Sequence, residues 1–151
     1  MKIDHLADHL ATIPMLANWF RETWPDHYAA RSPADIEREF RDACSRERLP
    51  IALVAFHEQE LAGTIALRPC ALDSQPEGPG LGGLFVSPRL RGRGIGSALV
   101  LAGVAEAQRL GLSPIYTGTA VAAGMLRRLG WQELRTVRHG GEDITLFRMD
   151  R

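Results

Sequence analysis

A short turn rich in glycine and arginine is the part of the sequence best suited to bind an anion. Residues Arg91 to Gly96 read Arg-Gly-Arg-Gly-Ile-Gly and stand between an apolar run and a helix-forming stretch. Backbone N–H groups with no Cβ in the way can wrap an anion, and the dipole of a following helix adds partial positive charge. The two arginines add full charges that suit bidentate contacts with phosphate. The turn therefore predicts a phosphate or diphosphate site.

Two common phosphate-binding motifs do not fit this turn. A P-loop ends in Gly-Lys-Ser/Thr, so that the lysine reaches the terminal phosphates, whereas this turn ends Gly96-Ser97-Ala98. A dinucleotide fingerprint needs G-x-G-x-x-G and an acid about twenty residues later. Here the glycines fall at 92, 94 and 96, and the region near Tyr116 holds no acid. Both interpretations are excluded, which leaves a diphosphate cradle at a helix N-terminus or a solvated basic turn whose glycines ease a tight corner.

Strands and helices on both sides must position this turn. The elements are predicted from apolar spacing, from capping residues and from breaks at glycine or proline. A short first strand is followed by a helix from His9 or Thr12 to Thr23 and by a second helix from Ser32 to Cys44. A hairpin over 50–69 and a strand over 81–88 follow. Beyond the turn we expect a helix to Leu110 capped by Gly111, a strand over 113–119, a helix over 120–129 and two strands around a Gly-Gly turn.

The predicted order of elements is β-α-α-β-β-β-α-β-α-β-β. It contains no repeat, linker or low-complexity segment, and a chain of 151 residues suits one domain with a real core. We therefore predict a single mixed α/β domain over residues 1–151, with a central mixed sheet of about seven strands and about four helices.

Composition excludes several classes of function. Lys plus Arg equals Asp plus Glu at 18 each, so no global field points to a nucleic acid or a membrane. Cys44 and Cys70 lack the spacing of metal ligands, and we expect free thiols and no metal. The sequence contains no signal peptide and no apolar run that approaches ~18 residues. A soluble, cytoplasmic protein is expected.

Two segments resemble the GNAT superfamily of N-acetyltransferases. "VSPRLRGRGIGSALV" is similar to its acyl-CoA-binding motif, Gln/Arg-x-x-Gly-x-Gly/Ala, with Arg91, Gly94 and Gly96 in the defining positions. "AGMLRRLGW" resembles the closing helix and strand of the family, usually written F-Y-x-x-x-G-F. The order of elements also matches the family fold, so the resemblance spans essentially the whole chain.

The resemblance implies a co-substrate and its contacts. Acetyl-CoA would lay its pantetheine arm in a gap beside the strand before the motif, bonded to main-chain groups, and rest its diphosphate on the turn. The implied cofactor-binding residues are Leu84, Phe85, Val86, Arg91, Gly92, Arg93, Gly94, Ile95, Gly96, Ser97 and Thr119. The activity implied is direct acetyl transfer, in a ternary complex, to a primary amine of a small molecule or a protein. The backbone N–H of Val86 would polarise the thioester carbonyl.

The proton-transfer groups depart from the family pattern. The tyrosine that commonly protonates the thiolate aligns with Leu126, and the usual glutamate is absent from the stretch Leu81-Gly82-Gly83-Leu84. Tyr116 is either a substitute acid or a packing residue, and Thr119 either touches pantetheine or caps a turn. The two glycines either leave space for the acceptor or mark a bulge. A non-catalytic acyl-CoA-binding module of the same fold is therefore kept as the alternative.

The acceptor side is less well defined. Aromatic and acidic residues between 19 and 28 could form a wall that attracts a cationic amine, or they could pack a helix and face solvent. The acceptor-binding candidates are Glu22, Trp24, Tyr28 and Asp73, with Trp19, Asp26, His27 and Glu77 nearby. His57 and His139 are expected to be exposed histidines near turns. We expect an amine as acceptor and no nucleic-acid or membrane partner; homodimers are common among similar proteins.

Overall fold

Seven strands form one mixed sheet in the computed structural model, which describes residues 1–72 and 77–150. The strand order across the sheet is β1-β2-β3-β4-β5-β7-β6. Neighbouring strands are antiparallel except β4 and β5, which are parallel. The strands are β1 Lys2–His5, β2 Ile51–His57, β3 Glu60–Arg68, β4 Gly80–Val86, β5 Ile115–Thr119, β6 Gln132–His139 and β7 Glu142–Met149.

Five α-helices accompany the sheet within the described ranges. They are α1 Ile13–Thr23, α2 Pro25–Tyr28, α3 Pro33–Asp42, α4 Ile95–Arg109 and α5 Ala123–Arg128. The α/β fold class and the predicted order of elements are confirmed. The sequence interpretation missed only α2, a single turn that begins at Pro25, where the fixed φ of proline favours the first helical position.

Side-chain capping explains where α3 begins but not where α1 begins. Ser32 opens α3 with a capping box, because its hydroxyl accepts from the Asp35 amide at 3.1 Å and the Asp35 carboxylate accepts from the Ser32 amide at 3.4 Å. Thr12 occupies the predicted N-cap position of α1, but its side chain makes no capping hydrogen bond. Its backbone is already helical, since a 3₁₀ turn precedes α1, and its hydroxyl donates to the His9 carbonyl at 2.7 Å.

The sheet separates two apolar layers. On one face α4 and α5 cover the larger core, which includes Leu81, Leu99, Ile115 and Phe147. On the other face α1, α2 and α3 cover smaller clusters that contain Leu16, Phe20, Tyr28, Ile36 and Phe85. Among the described residues no helix has the length and apolarity needed to cross a bilayer.

Candidate active site

The parallel strands β4 and β5 part soon after they pair. Only Gly80 with Tyr116 and Leu81 with Thr117 stand in register. At the point of separation the Thr117 hydroxyl donates to the Leu81 carbonyl at 2.9 Å. Strand β4 nevertheless continues to Val86 along its other neighbour, β3. The second half of β4 therefore has an edge that no described strand covers, and this edge borders a gap towards β5.

Backbone groups of β4 point into this gap. The Ser87 amide donates to the Ala62 carbonyl of β3 at 2.7 Å, and Val86 stands opposite Gly63. Since successive peptide groups of a strand alternate between its two edges, the N–H groups of Val86 and Leu84 point away from β3. The Val86 carbonyl, on the same edge, accepts from Arg91 Nε at 3.0 Å. The gap thus has fixed backbone donors.

A bulge interrupts β4 immediately before Leu84. Gly83 has a φ of +63°, and the register with β3 shifts between Thr64 and Ala66. A Cβ on Gly82 would lie 2.8 Å from Arg68 Nη1, and one on Gly83 would lie 3.0 Å from Nη2. The glycine pair therefore forms a bulge, and the space left by its missing side chains is taken by the Arg68 guanidinium.

The glycine-arginine turn leads into α4 with free amides. Gly92 and Gly94 have φ values of +80° and +81°, and a Cβ on either would meet no atom within 4 Å. The first backbone bond after the turn runs from the Ala98 amide to the Gly94 carbonyl at 3.0 Å. No acceptor among the described residues engages the amides from Gly92 to Ser97. This open row of N–H groups at a helix N-terminus fits a diphosphate.

The two arginines of the turn are arranged differently. Arg91 is tied to the end of β4 through the Val86 carbonyl, and its guanidinium carbon lies 5.8 Å from the ring centroid of Phe85. Arg93 is exposed and has no ion-pair partner in the part of the chain that the structure describes. Arg91 therefore links the strand edge to the turn, and Arg93 offers a charge to a bound anion.

Two residues predicted near the thiolate have clear positions. Thr119 accepts from the amides of Val121 and Ala122 at 3.2 Å and 2.8 Å, so the turn-capping alternative describes its side chain. Tyr116 pairs with Gly80, at the opposite end of β4 from Val86, about 20 Å away for a strand of this length. The structure therefore does not bring Tyr116 together with the Val86 amide.

Leu126 is a core residue. Its exposed fraction is 3%, it belongs to the apolar cluster beneath α4, and its carbonyl accepts from the Trp131 amide at 3.0 Å. The sequence has leucine rather than tyrosine at this position of α5, and the leucine side chain packs in the core. The structure offers no proton donor at this position.

A cavity of about 380 Å³ lies on the opposite face of the sheet from α4. Aromatic and aliphatic side chains of α1, α2 and α3 form one wall, and β3 forms another. Its lining includes Phe20, Tyr28, Phe40, Arg68, Gly83 and His139. Gly83 belongs to both the cavity and the bulge beside Leu84. The cavity and the gap therefore approach each other through β4, as an acceptor site and a co-substrate site must.

The predicted acceptor residues separate into two groups. Tyr28 lines the cavity, and burial together with nearby Glu39 raises the pKa of its hydroxyl. Trp24 packs edge-on against Phe20 at 4.9 Å and does not line the cavity. Glu22 is exposed on α1, where it accepts from Asn18 at 3.3 Å. Glu22 therefore faces solvent and does not line the cavity, in line with the solvent-facing alternative; Asp73 lies outside the described residues.

Three further side chains of this region were misjudged or missed. His139 was expected to be an exposed turn histidine, but it is half-buried and lines the cavity. Arg68 and Glu39 also line the cavity, although no motif marked them. The only signal for Arg68 was a single charge at the end of an apolar strand, which by itself is ordinary.

Comparison with known proteins bears on the fold and the family. The model of the acetyltransferase (GNAT) family matches residues 13–131. Among solved structures, the chain is similar to an aminoglycoside 6'-acetyltransferase type Ii, with 22% identity, 99% of this chain and 97% of that chain covered, and a TM-score of 0.76. No match was found among curated protein sequences.

Two other structural neighbours cover this chain almost completely. A ribosomal-protein-alanine N-acetyltransferase from Brucella melitensis has 20% identity, complete coverage of both chains and a TM-score of 0.77. A putative acetyltransferase from Salmonella typhimurium, solved with acetyl-CoA, has 15% identity, covers 99% and 93% of the two chains and has a TM-score of 0.73. At these identities the likeness concerns the fold.

Proposed function

The chain belongs to the GNAT acetyltransferase family, and from this premise we propose that it transfers the acetyl group of acetyl-CoA to a primary amine. One observation carries the proposal. The uncovered edge of β4 stands next to the free amides that open α4. A long, narrow co-substrate with a diphosphate at one end and amide groups along its arm suits these two sets of donors together.

The chain's own groups would divide the binding of acetyl-CoA between them. The amides from Gly92 to Ser97 would hold the diphosphate, with Arg93 adding charge. The backbone of Leu84, Phe85 and Val86 would bond the pantetheine arm. Thr119 keeps a hydroxyl proton that it can still donate, because its oxygen serves as the acceptor for the turn. Two structural neighbours solved with CoA or acetyl-CoA support the choice of co-substrate.

Acetyl-CoA supplies an activated acetyl group as a thioester. The Val86 N–H, which points into the gap, would donate to the carbonyl oxygen and stabilise the negative charge that develops there. The bulge at Gly83 connects this edge to the cavity, so the amine nitrogen would approach from the cavity side. A C–N bond then forms, the C–S bond breaks with CoA leaving as the thiolate, and the proton that the nitrogen loses passes to solvent, from which the thiolate is protonated. Direct attack needs no cysteine intermediate, and no side chain is assigned as the acid, since Tyr116 lies at the far end of β4.

An assay of CoA release tests this proposal. Wild-type protein with acetyl-CoA is offered primary amines of several classes: aromatic monoamines, amino acids, polyamines, and peptides with a free N-terminus or a lysine. We expect CoA release with at least one class. The N,N-dimethyl form of the best amine is the matched control, because a tertiary amine cannot form a stable amide. Failure of calorimetry to detect acetyl-CoA binding would contradict the proposal.

The buried Leu126 favours one rival, an acyl-CoA-binding module without catalysis. The family's usual proton donor is replaced there by a side chain that is 3% exposed. Acetyl-CoA binding with background CoA release for every amine would support this rival and reject the transferase. We further propose that residues 1–151 act as one domain in the cytoplasm, where acetyl-CoA is available; a homodimer stays a prediction.

A further inference from the structure

The Arg68 guanidinium occupies a special place in the cavity. It comes from the end of β3, is half-buried, and lies across β4 where Gly82 and Gly83 carry no side chains. A Cβ on either glycine would come within about 3 Å of it, at 2.8 Å and 3.0 Å. The cation is thus held against the bulge, one residue from Leu84, whose N–H points to the co-substrate gap.

No carboxylate of the described residues around the cavity serves as a counter-ion to Arg68. Glu39 lines the cavity, but its carboxylate is paired with Arg31 at 2.5 Å. Arg68 forms no ion pair with any carboxylate of residues 1–72 and 77–150. Its positive charge acts on the Tyr28 hydroxyl, where it opposes the rise in pKa caused by burial and Glu39. A partly desolvated guanidinium of this kind favours an anionic ligand.

The remaining walls define what else the ligand carries. Phe20, Ile36 and Phe40 present apolar surface, and Phe20 and Phe40 stack edge to face at 4.9 Å. The volume of about 380 Å³ is at the lower end of the range for small-molecule pockets. A single amino-acid-sized molecule suits this volume better than an oligosaccharide or a folded protein.

We propose that the acceptor is an amine that also bears a carboxylate, namely an α-amino acid with an apolar or aromatic side chain. Arg68 binds the carboxylate, the aromatic wall receives the side chain, and the amine faces the bulge. The bulge at Gly83, beside Arg68, lies three residues before Val86, about 10 Å along a strand, so the amine and the carboxylate must be only a few bonds apart. One guanidinium also matches the single charge of a carboxylate better than the double charge of a phosphate. This inference rests on the proposed transferase activity.

Matched substrate pairs test the inference. Wild-type protein is assayed with L-phenylalanine against phenethylamine and with L-leucine against isoamylamine, at saturating acetyl-CoA. Each pair differs only by the carboxylate. We expect kcat/KM to favour the amino acid by about tenfold or more, since a charge-assisted hydrogen bond is lost with the carboxylate. Arg68→Gln should remove this preference mainly through KM, and Arg68→Lys should restore part of it.

A second readout does not depend on turnover. Thermal shift in the presence of CoA compares N-acetyl-L-phenylalanine with N-phenethylacetamide, on wild-type protein and on Arg68→Gln. We expect only N-acetyl-L-phenylalanine, which carries the carboxylate, to raise the melting temperature of the wild-type protein. This increase should be absent in Arg68→Gln. Calorimetry with acetyl-CoA should give the same affinity for both proteins, which shows that the variant is folded and its co-substrate site intact.

Several outcomes overturn the inference, and they differ from failure of the transferase proposal. The carboxylate site is rejected if both members of each pair react at equal rates, or if Arg68→Gln keeps the preference for the amino acid. Acetyl transfer itself stands in both cases. Preference for phosphoethanolamine rejects the carboxylate in favour of a phosphate. Preference for polyamines, with loss of rate in Asp73→Asn, restores the cationic acceptor expected from the sequence. Absence of both acetyl-CoA binding and amine acetylation rejects the transferase itself and the inference with it.

Discussion

Gly94 shows how one residue can carry a binding site. Its left-handed backbone turns the chain into α4, and the space beside its Cα is open. A side chain there would extend over the free amides rather than into the core. Function and stability are therefore separable at this position, which makes it a good place for a test.

Gly94→Glu is expected to abolish acetyl-CoA binding. The new carboxylate would compete for the amides at the N-terminus of α4 and repel a diphosphate. The positive φ adds strain on the order of 1 kcal/mol, which should lower the melting temperature only modestly. Calorimetry measures the affinity, and differential scanning calorimetry measures the melting temperature.

Gly111→Glu is the matched control for this substitution. Gly111 has a φ of +73°, and a Cβ there would also meet nothing within 4 Å. It follows the C-terminus of α4, about 22 Å from Gly94 along a helix of 15 residues. The Gly111→Glu variant should bind acetyl-CoA with the affinity of wild type, although its backbone strain and added charge are similar to those of Gly94→Glu. Equal loss of affinity in both variants would contradict the diphosphate site.

Strand β4 is the element that joins the two halves of the site. Its first residues pair with β3 and β5, its middle forms the bulge, and its end presents Val86 to the gap. Because only two residues pair with β5, the place where the strands part depends on very few contacts. Gly80 is one of these two residues, and its missing side chain lets the strands approach closely.

Gly80→Ala is expected to destabilise the protein by about 2 kcal/mol or more, as overpacking of a tight site does. A Cβ there would lie 2.1 Å from the Tyr116 carbonyl oxygen and 2.6 Å from Ala71 Cβ. The backbone oxygen can move only if β4 and β5 separate. Urea unfolding followed by circular dichroism measures the free energy of unfolding.

Gly78→Ala serves as the control two residues away. A Cβ on Gly78 would meet no atom within 4 Å, and we expect no loss of stability. A similar loss in both variants would show that the effect comes from the loop and not from the β4–β5 contact.

At the scale of the whole molecule, a polar network ties the first strand to the end of α4. Glu106 accepts from His5 of β1 at 3.0 Å and from Arg109 at 3.0 Å, and Arg109 also pairs with Glu47. Burial opposes ionisation of Glu106, but the hydrogen bonds from Arg109 and His5 hold the pKa of its carboxyl below the usual value. The ionised form is therefore stabilised by folding.

The sign of this shift predicts a dependence of stability on pH. Because folding lowers the pKa of Glu106, its ionised carboxylate adds to the free energy of unfolding at pH values above its unfolded pKa, about 4.3. This stabilisation is lost as the pH falls through the folded pKa. Glu106→Gln should therefore be less stable than wild type at pH 7, and the difference should shrink towards pH 3. Thermal unfolding across this range measures it.

Asp143→Asn is the control for the pH experiment. Asp143 pairs with Arg138 at 3.0 Å, but both side chains are about 70% exposed, at 72% and 68%. Exposed pairs contribute little, so this variant should follow wild type at every pH. If the difference in melting temperature between Glu106→Gln and wild type stayed constant with pH, ionisation of Glu106 would not be linked to stability.

Local signals in the sequence determined most of the elements and indicated the proposed co-substrate half of the site. The capping residues at Ser32, the glycines at 94 and 111 and the apolar periodicity report backbone conformation over a few neighbouring residues. Such signals are short-ranged, so a single sequence contains them in full. The element order and the glycine-arginine turn could therefore be predicted, and with them the family resemblance.

The tertiary structure alone decided the acceptor half. Whether Glu22 faces solvent, whether Tyr116 reaches the thioester and where Arg68 lies all depend on which residues meet across the sheet. The strand register shifts by one residue at the bulge, and the space beside the glycines there is filled by the Arg68 guanidinium. Contacts of this kind join residues far apart in the chain, and no local pattern around Arg68 encodes its partners. The proposed co-substrate site could thus be derived from the sequence, whereas the charge of the proposed acceptor cavity followed only from the packed fold.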